Sequence, residues 1–179
     1  MTFDPGPQIL KPRACYTAVV LEARLFLVFG GQGGGGLGSY LAATEVLGTI
    51  TEPMTVAPGP SMQTRRGGCA AVLLPAERRM IAVDGEDATT RHAIPHTTAE
   101  ILDIDTMAFA PEPLMFSARS DCAIAPLFGS ILMVGGRAGG GLAKTTEAPS
   151  LETVYSATEP TTYIFLLLID HLLRGANTP

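Results

Sequence analysis

The sequence predicts an all-β protein of four-stranded antiparallel sheets repeated along the chain, the blades of an incomplete β-propeller with about three blades. Three observations predict it. Twenty glycines and fourteen prolines in 179 residues leave little uninterrupted length for ordinary helices. The apolar runs are short and end at glycine or proline. They also recur with a period of a little over 50 residues.

The first strand of each unit follows a cysteine. Cys15, Cys69 and Cys122 lie 54 and 53 residues apart, and each opens an apolar run: Ala18 to Leu21, Ala70 to Leu74, and Ala123 to Leu127. A second run follows and ends at glycine: Leu25 to Gly31, Met80 to Gly85, and Ile131 to Gly136. The third run is headed by an acid, at Glu45, Glu100 and Glu152. The fourth carries Val56-Ala57-Pro58-Gly59-Pro60 before Met62 and Arg66, or Phe109-Ala110-Pro111-Glu112-Pro113 before Met115 and Arg119, at a constant offset of 53. Four β-prone runs per period, punctuated by Gly-Gly and Pro-x-Pro, describe one sheet per unit. A lone sheet buries neither face, so the repeat implies neighbours that cover one another.

The units run over 13–60, 66–113 and 119–160. Met1-Thr2-Phe3-Asp4-Pro5-Gly6-Pro7 keeps the wording of Met54 to Pro60, which makes residues 1–7 the final strand of a preceding blade. The third unit keeps step through Thr158-Glu159-Pro160 but lacks the Pro-Gly-Pro, Met and Arg that follow elsewhere, so its last strand is missing or replaced. Residues 161–179 form a divergent tail.

This pattern resembles the kelch repeat: a strand ending in paired glycines, a later aromatic pair, and an arginine shortly before the next blade. Gly30-Gly31 and Gly135-Gly136 match the double glycine, and the second unit carries Asp84-Gly85. Phe109 stands seven residues after Leu102, the spacing of the family's tyrosine and tryptophan, and the chain has no tryptophan. Arg66 and Arg119 occupy the family's arginine position, where hydrogen bonds to carbonyls or acids between blades are the expected role.

A net charge of -5 and only two lysines, Lys11 and Lys144, offer no basic stripe for phosphates and exclude nucleic acid as the expected partner. The proline-rich start lacks a secretory signal, and the apolar stretch Tyr163 to Ile169 is too short to span a bilayer, so no membrane association is expected and a cytoplasmic location is the default.

Gly31-Gln32-Gly33-Gly34-Gly35-Gly36 fits the G-x-G-x-x-G spacing that cradles a pyrophosphate, but a glycine-rich stretch recurs at Gly135 to Gly141 in the same part of its unit. A blade loop accounts for both. The residues before Lys144-Thr145 lack the glycine of a phosphate-binding loop. The three cysteines fall on separate blades and read as small buried side chains. His92 and His96 are four apart, a zinc spacing on a helix, yet Pro95 breaks any helix there.

The expected function is a protein-protein interaction scaffold without catalysis or cofactor, since variable loops on a rigid frame are where such architectures carry recognition. The expected contacts are Gln32, His92, His96 and Arg137, with self-association through open blade edges as a second outcome. The rival is a copper oxidase, because some kelch relatives carry copper. That reading needs converging Tyr, His and Cys ligands, which the scattered Tyr16, Tyr40, Tyr155 and Tyr163 do not supply. A further alternative is a truncated fragment with no function of its own.

Overall fold

The computed structural model describes residues 5–22, 25–35, 39–48, 54–88, 93–112, 115–127, 130–138 and 141–147. Blade 1 is a meander of β1 (Thr17–Glu22), β2 (Leu25–Phe29), β3 (Thr44–Gly48) and β4 (Thr55–Pro58). Blade 2 repeats it with β5 (Ala70–Leu74), β6 (Arg79–Val83), β7 (Ala99–Asp103) and β8 (Ala108–Glu112). Blade 3 carries β9 (Ala123–Leu127), β10 (Ser130–Val134) and β11 (Thr146–Glu147). All pairings are antiparallel. The prolines fit this order: Pro58 and Pro111 lie in β4 and β8, which edge their sheets, where a residue without an N–H is tolerated.

The apolar strands of blade 2 read as continuous runs because that blade is covered on both sides. Leu21, Leu27 and Phe29 of blade 1 pack with Cys69, Met80, Ala82 and Leu102. Ala70, Val83 and Ala99 of blade 2 pack with Met133, flanked by Cys122, Ile124 and Ile131 of blade 3. The first strands β1, β5 and β9 lie side by side, with β5 in the middle.

The paired glycines close each second strand in left-handed backbone: Gly30, Asp84 and Gly135 have φ of 63°, 70° and 69°, and Gly31, Gly85 and Gly136 have 92°, 95° and 92°. Aspartate is among the few side chains that adopt the first of these conformations, which explains Asp84. Its carboxylate also accepts the Cys122 N–H of blade 3 at 3.0 Å, so the departure from glycine clasps two blades. Burial pushes the Asp84 carboxyl above its ordinary pKa, against the lowering effect of the Cys122 and Gly85 N–H groups.

Register corrects two expectations. Thr17, Ala70 and Ala123 pair with Phe29, Val83 and Val134, so the counterparts of Cys15 are Gly68 and Asp121, and Cys69 and Cys122 align with Tyr16. Cys15, Gly68 and Asp121 share a positive φ of 51°, 61° and 58°. Cys15 is accordingly exposed, whereas Cys69 is buried; all three thiols are free. The acid of the third unit is Glu147, which reaches Met133 just as Glu45 reaches Val28 and Glu100 reaches Ala82. Glu152 lies outside the described residues, as do residues 1–4, His92 and the tail.

Candidate functional site

In a meander the first strand starts, the second ends, the third starts and the fourth ends at one end of the sheet. The loops joining second to third strands and those joining successive blades therefore share that end. The glycine pairs and the arginines sit there too.

The arginines brace this end by one arrangement repeated three times. Arg13, Arg66 and Arg119 stand 53 residues apart, and their side chains are fully buried. Each Nη1 donates to the carbonyl of the first residue of its glycine pair: Gly30 at 2.9 Å, Asp84 at 2.8 Å and Gly135 at 2.9 Å. It also donates to the carbonyl two residues before the blade's acid: Ala43 at 3.1 Å, Thr98 at 2.8 Å and Thr145 at 3.3 Å. Each Nη2 pairs with that acid: Glu45 at 2.5 Å, Glu100 at 3.2 Å and Glu147 at 2.5 Å. The guanidinium fork thus ties together carbonyls from the loops at this end, with a carboxylate balancing its charge. The structural role expected of Arg66 and Arg119 holds, and Arg13 belongs with them; its signal in the sequence is the same 53-residue spacing.

Each acid in turn fixes the loop that enters its blade. Glu45 accepts the N–H groups of Leu10 at 2.6 Å and Lys11 at 3.0 Å; Glu100 those of Gln63 at 2.7 Å and Thr64 at 3.0 Å; Glu147 those of Phe116 at 3.0 Å and Ser117 at 3.1 Å. Burial raises the Glu45 pKa, but the Leu10 N–H, Arg13 and the Lys11 N–H outweigh it and hold the carboxyl below its ordinary value near 4.5. Burial opposes and Ser117, Arg119 and the Phe116 N–H win at Glu147 in the same way.

A carboxyl depressed on folding contributes stability above its unfolded pKa and loses it as pH falls through the folded one. The expected result is a melting temperature that drops as pH is lowered below about 4.5. Asp84, shifted the other way, offsets part of that drop. Glu45→Gln with Glu147→Gln flattens the acid limb in a calorimetric pH series; an unchanged limb removes both groups from the explanation.

A second network crosses the blades at the same end. Tyr40 of blade 1 donates its hydroxyl to Glu86 of blade 2 at 2.9 Å, and Glu86 accepts from Ser120 of blade 3 at 3.3 Å. Burial, and then the Glu86 bond, push the Tyr40 hydroxyl up to about 12. Tyr40 lies over Gly67, where an added Cβ would stand 2.3 Å from the ring. Nothing in the spacing of the chain announces this contact.

The structure brings three of the sequence-predicted contacts to this end. Gln32 pairs with Ala14 and bridges to Tyr40, and is half-buried. His96 is half-buried, with Nε2 3.1 Å from the Arg65 carbonyl, its N–H on the Gly85 carbonyl and its own carbonyl accepting the Arg119 N–H. Burial, first among the causes, lowers its pKa. Arg137 is exposed and pairs with Leu142 in a two-residue ladder. His92 lies outside the described residues.

The sequence reading missed the exposed apolar side chains of the same loops, among them Leu10, Ile94, Phe116 and Leu142. Among the described residues no group of three His, Cys, Asp or Glu could hold a metal, and none of their helices is long and apolar enough to cross a membrane.

No family model matches the chain, and no curated protein matches it. Solved structures do. YjhT superposes with a TM-score of 0.65 at 13% identity over 78% of this chain, which spans 43% of the YjhT chain. A fungal alcohol oxidase of the AA5 family, in complex with copper, superposes with a TM-score of 0.59 at 22% identity over 70% of this chain and 27% of its own. At these identities the likeness is one of fold, and together with the three sheets it makes the chain an arc of β-propeller blades.

Proposed function

We propose that the chain is a kelch-type, non-catalytic scaffold that binds another protein through the arginine-braced end of its blades. One observation carries this reading. Leu10 and Phe116 occupy the same position of the first and third repeats, three residues before the bracing arginine, and are 52% and 98% exposed. Their backbone N–H groups are held by Glu45 and Glu147, so the apolar side chains are displayed from a fixed backbone.

The fold itself does not ask for apolar residues here. The middle repeat has exposed Gln63 in this position with the same bond to Glu100. A pre-ordered aromatic anchor in a setting of polar groups is what a protein interface uses, because little side-chain and loop entropy remains to be lost on binding. Ile94 and Leu142 extend the apolar surface across the second-to-third-strand loops, beside Gln32, His96 and Arg137.

The test is affinity capture with the folded chain against the variant Ile94→Ser, Phe116→Ser, Leu142→Ser. The expected result is loss of the captured proteins with an unchanged melting curve, while Met54→Ser, at the opposite end of blade 1, retains them. Capture that survives the triple change, or that fails with Met54→Ser alone, overturns the assignment of this end.

A further inference from the structure

The middle blade carries a titratable ring at a position where the other two blades carry none. Leu41, His96 and Ala143 hold the same place: the N–H of each donates to the carbonyl of the second residue of its turn, Gly31, Gly85 and Gly136, at 2.9, 2.8 and 2.8 Å. The carbonyls of Leu41 and His96 then accept the N–H groups of Arg66 and Arg119, which lead into the next blade, at 3.2 Å each. Leucine and alanine meet the backbone requirement, so the fold does not ask for histidine here. The His96 ring adds a contact of its own, with Nε2 3.1 Å from the Arg65 carbonyl in the linker between blades 1 and 2. His96 therefore holds both linkers of blade 2, one through its ring and one through its backbone.

A carbonyl oxygen only accepts, so Nε2 carries the hydrogen in this contact and Nδ1 is the base that takes up a further proton. That charge arrives in a half-buried setting whose acids are already committed. In the turn and its ribbon, Asp84 accepts the Gly85 and Cys122 N–H groups, and Glu86 accepts from Tyr40 and Ser120. Asp87 accepts the Ala88 N–H and pairs with Arg65 at 3.4 Å. In the linkers, Arg66 is balanced by Glu100 and Arg119 by Glu147, while the Asp121 carboxylate lies over Gly68. Burial first, and then Arg66, oppose the charged ring and outweigh the Arg65 carbonyl, Asp87 and Asp84, which holds its pKa below the ordinary 6.5. The neutral ring is the form that fits. Its contribution to stability is complete above the unfolded value and fades as pH falls below it.

We propose that His96 is a pH-sensitive latch: neutral, it holds residues 94–96 on the Arg65 linker, and protonated, it turns out to water and lets that segment loosen. Ile94 stands two residues away, paired with Asp87, and is 59% exposed. The functional consequence rests on the reading of this end as the binding surface: acidification withdraws the support of one apolar anchor and releases the partner. The acid limb set by Glu45 and Glu147 lies lower, below about 4.5, so the two effects occupy separate pH ranges.

NMR titration and hydrogen exchange of the full chain from about pH 8 to about pH 5 test the latch, with His96→Gln and His96→Leu beside the wild type. The first variant keeps an N–H donor toward Arg65, the second takes the side chain that blade 1 uses, and neither titrates. The His96 ring is expected to titrate with a midpoint below 6.5. Across that midpoint the Arg119 N–H, bonded to the His96 carbonyl, loses protection relative to its intrinsic exchange rate, and in the variants it does not. A ring midpoint at or above 6.5, unchanged Arg119 protection, or the same loss in both variants overturns the latch. Affinity capture at the two ends of the range reads the consequence: the wild type loses its captured proteins at low pH and His96→Gln keeps them. Equal loss from both, beside the expected exchange result, overturns partner release alone. A chain that captures nothing at either pH overturns the binding surface and the release together, and the exchange result still decides the latch.

Discussion

Replacing Arg66 with alanine is expected to lower stability by about 3–5 kcal/mol, the usual cost of removing one partner from a buried ion pair. The guanidinium is fully buried and bonds the Asp84 carbonyl, the Thr98 carbonyl and hydroxyl, and Glu100 at 2.8, 2.8, 2.7 and 3.2 Å. Its loss strands two carbonyls and a buried carboxylate together, in the blade that holds the other two in place. Arg66→Met combined with Glu100→Leu is expected to recover part of the loss, since the uncompensated charge is gone. Arg78→Ala provides the contrast: its 2.7 Å pair with Asp105 is solvent-exposed, and such pairs contribute at most about 1 kcal/mol. Denaturant titration of the four proteins decides the matter. An Arg66→Ala chain no less stable than Arg78→Ala would show that the arginine ladder does not support the fold.

Gly31→Ala is the second large effect, expected to cost on the order of 3 kcal/mol by adding backbone strain to a steric clash. Gly31 has a φ of 92°, and an added Cβ would stand 2.7 Å from the Ala14 carbonyl and 2.9 Å from Tyr16 Cβ. Neither neighbour can retreat, because Ala14 is paired with Gln32 in the same turn. Gly141→Ala, with nothing within 4 Å, is expected to change stability by less than about 0.5 kcal/mol. Equal melting temperatures for the two variants would mean that the glycine turn relaxes without cost.

The sequence by itself determined the blade. Strand length, the glycine pair and the edge prolines are local requirements of backbone geometry, so they recur at nearly fixed offsets and can be counted. Arg13, Arg66 and Arg119 keep an offset of 53 for the same reason, because each is separated from its own first strand by an identical short turn.

Counting failed where loop length varies. Eleven residues separate Gly136 from Glu147, against fifteen from Gly85 to Glu100, so a fixed period pointed to Glu152 and only the arginine's reach identified Glu147. The same holds for Tyr40 on Glu86, for Asp84 on Cys122, and for the exposure of Phe116 and Val134. These are contacts between blades, or the lack of a covering blade, and their sequence separation carries no period. Local geometry is written residue by residue along the chain, whereas which faces meet and which stay open is decided only when the sheets stand side by side.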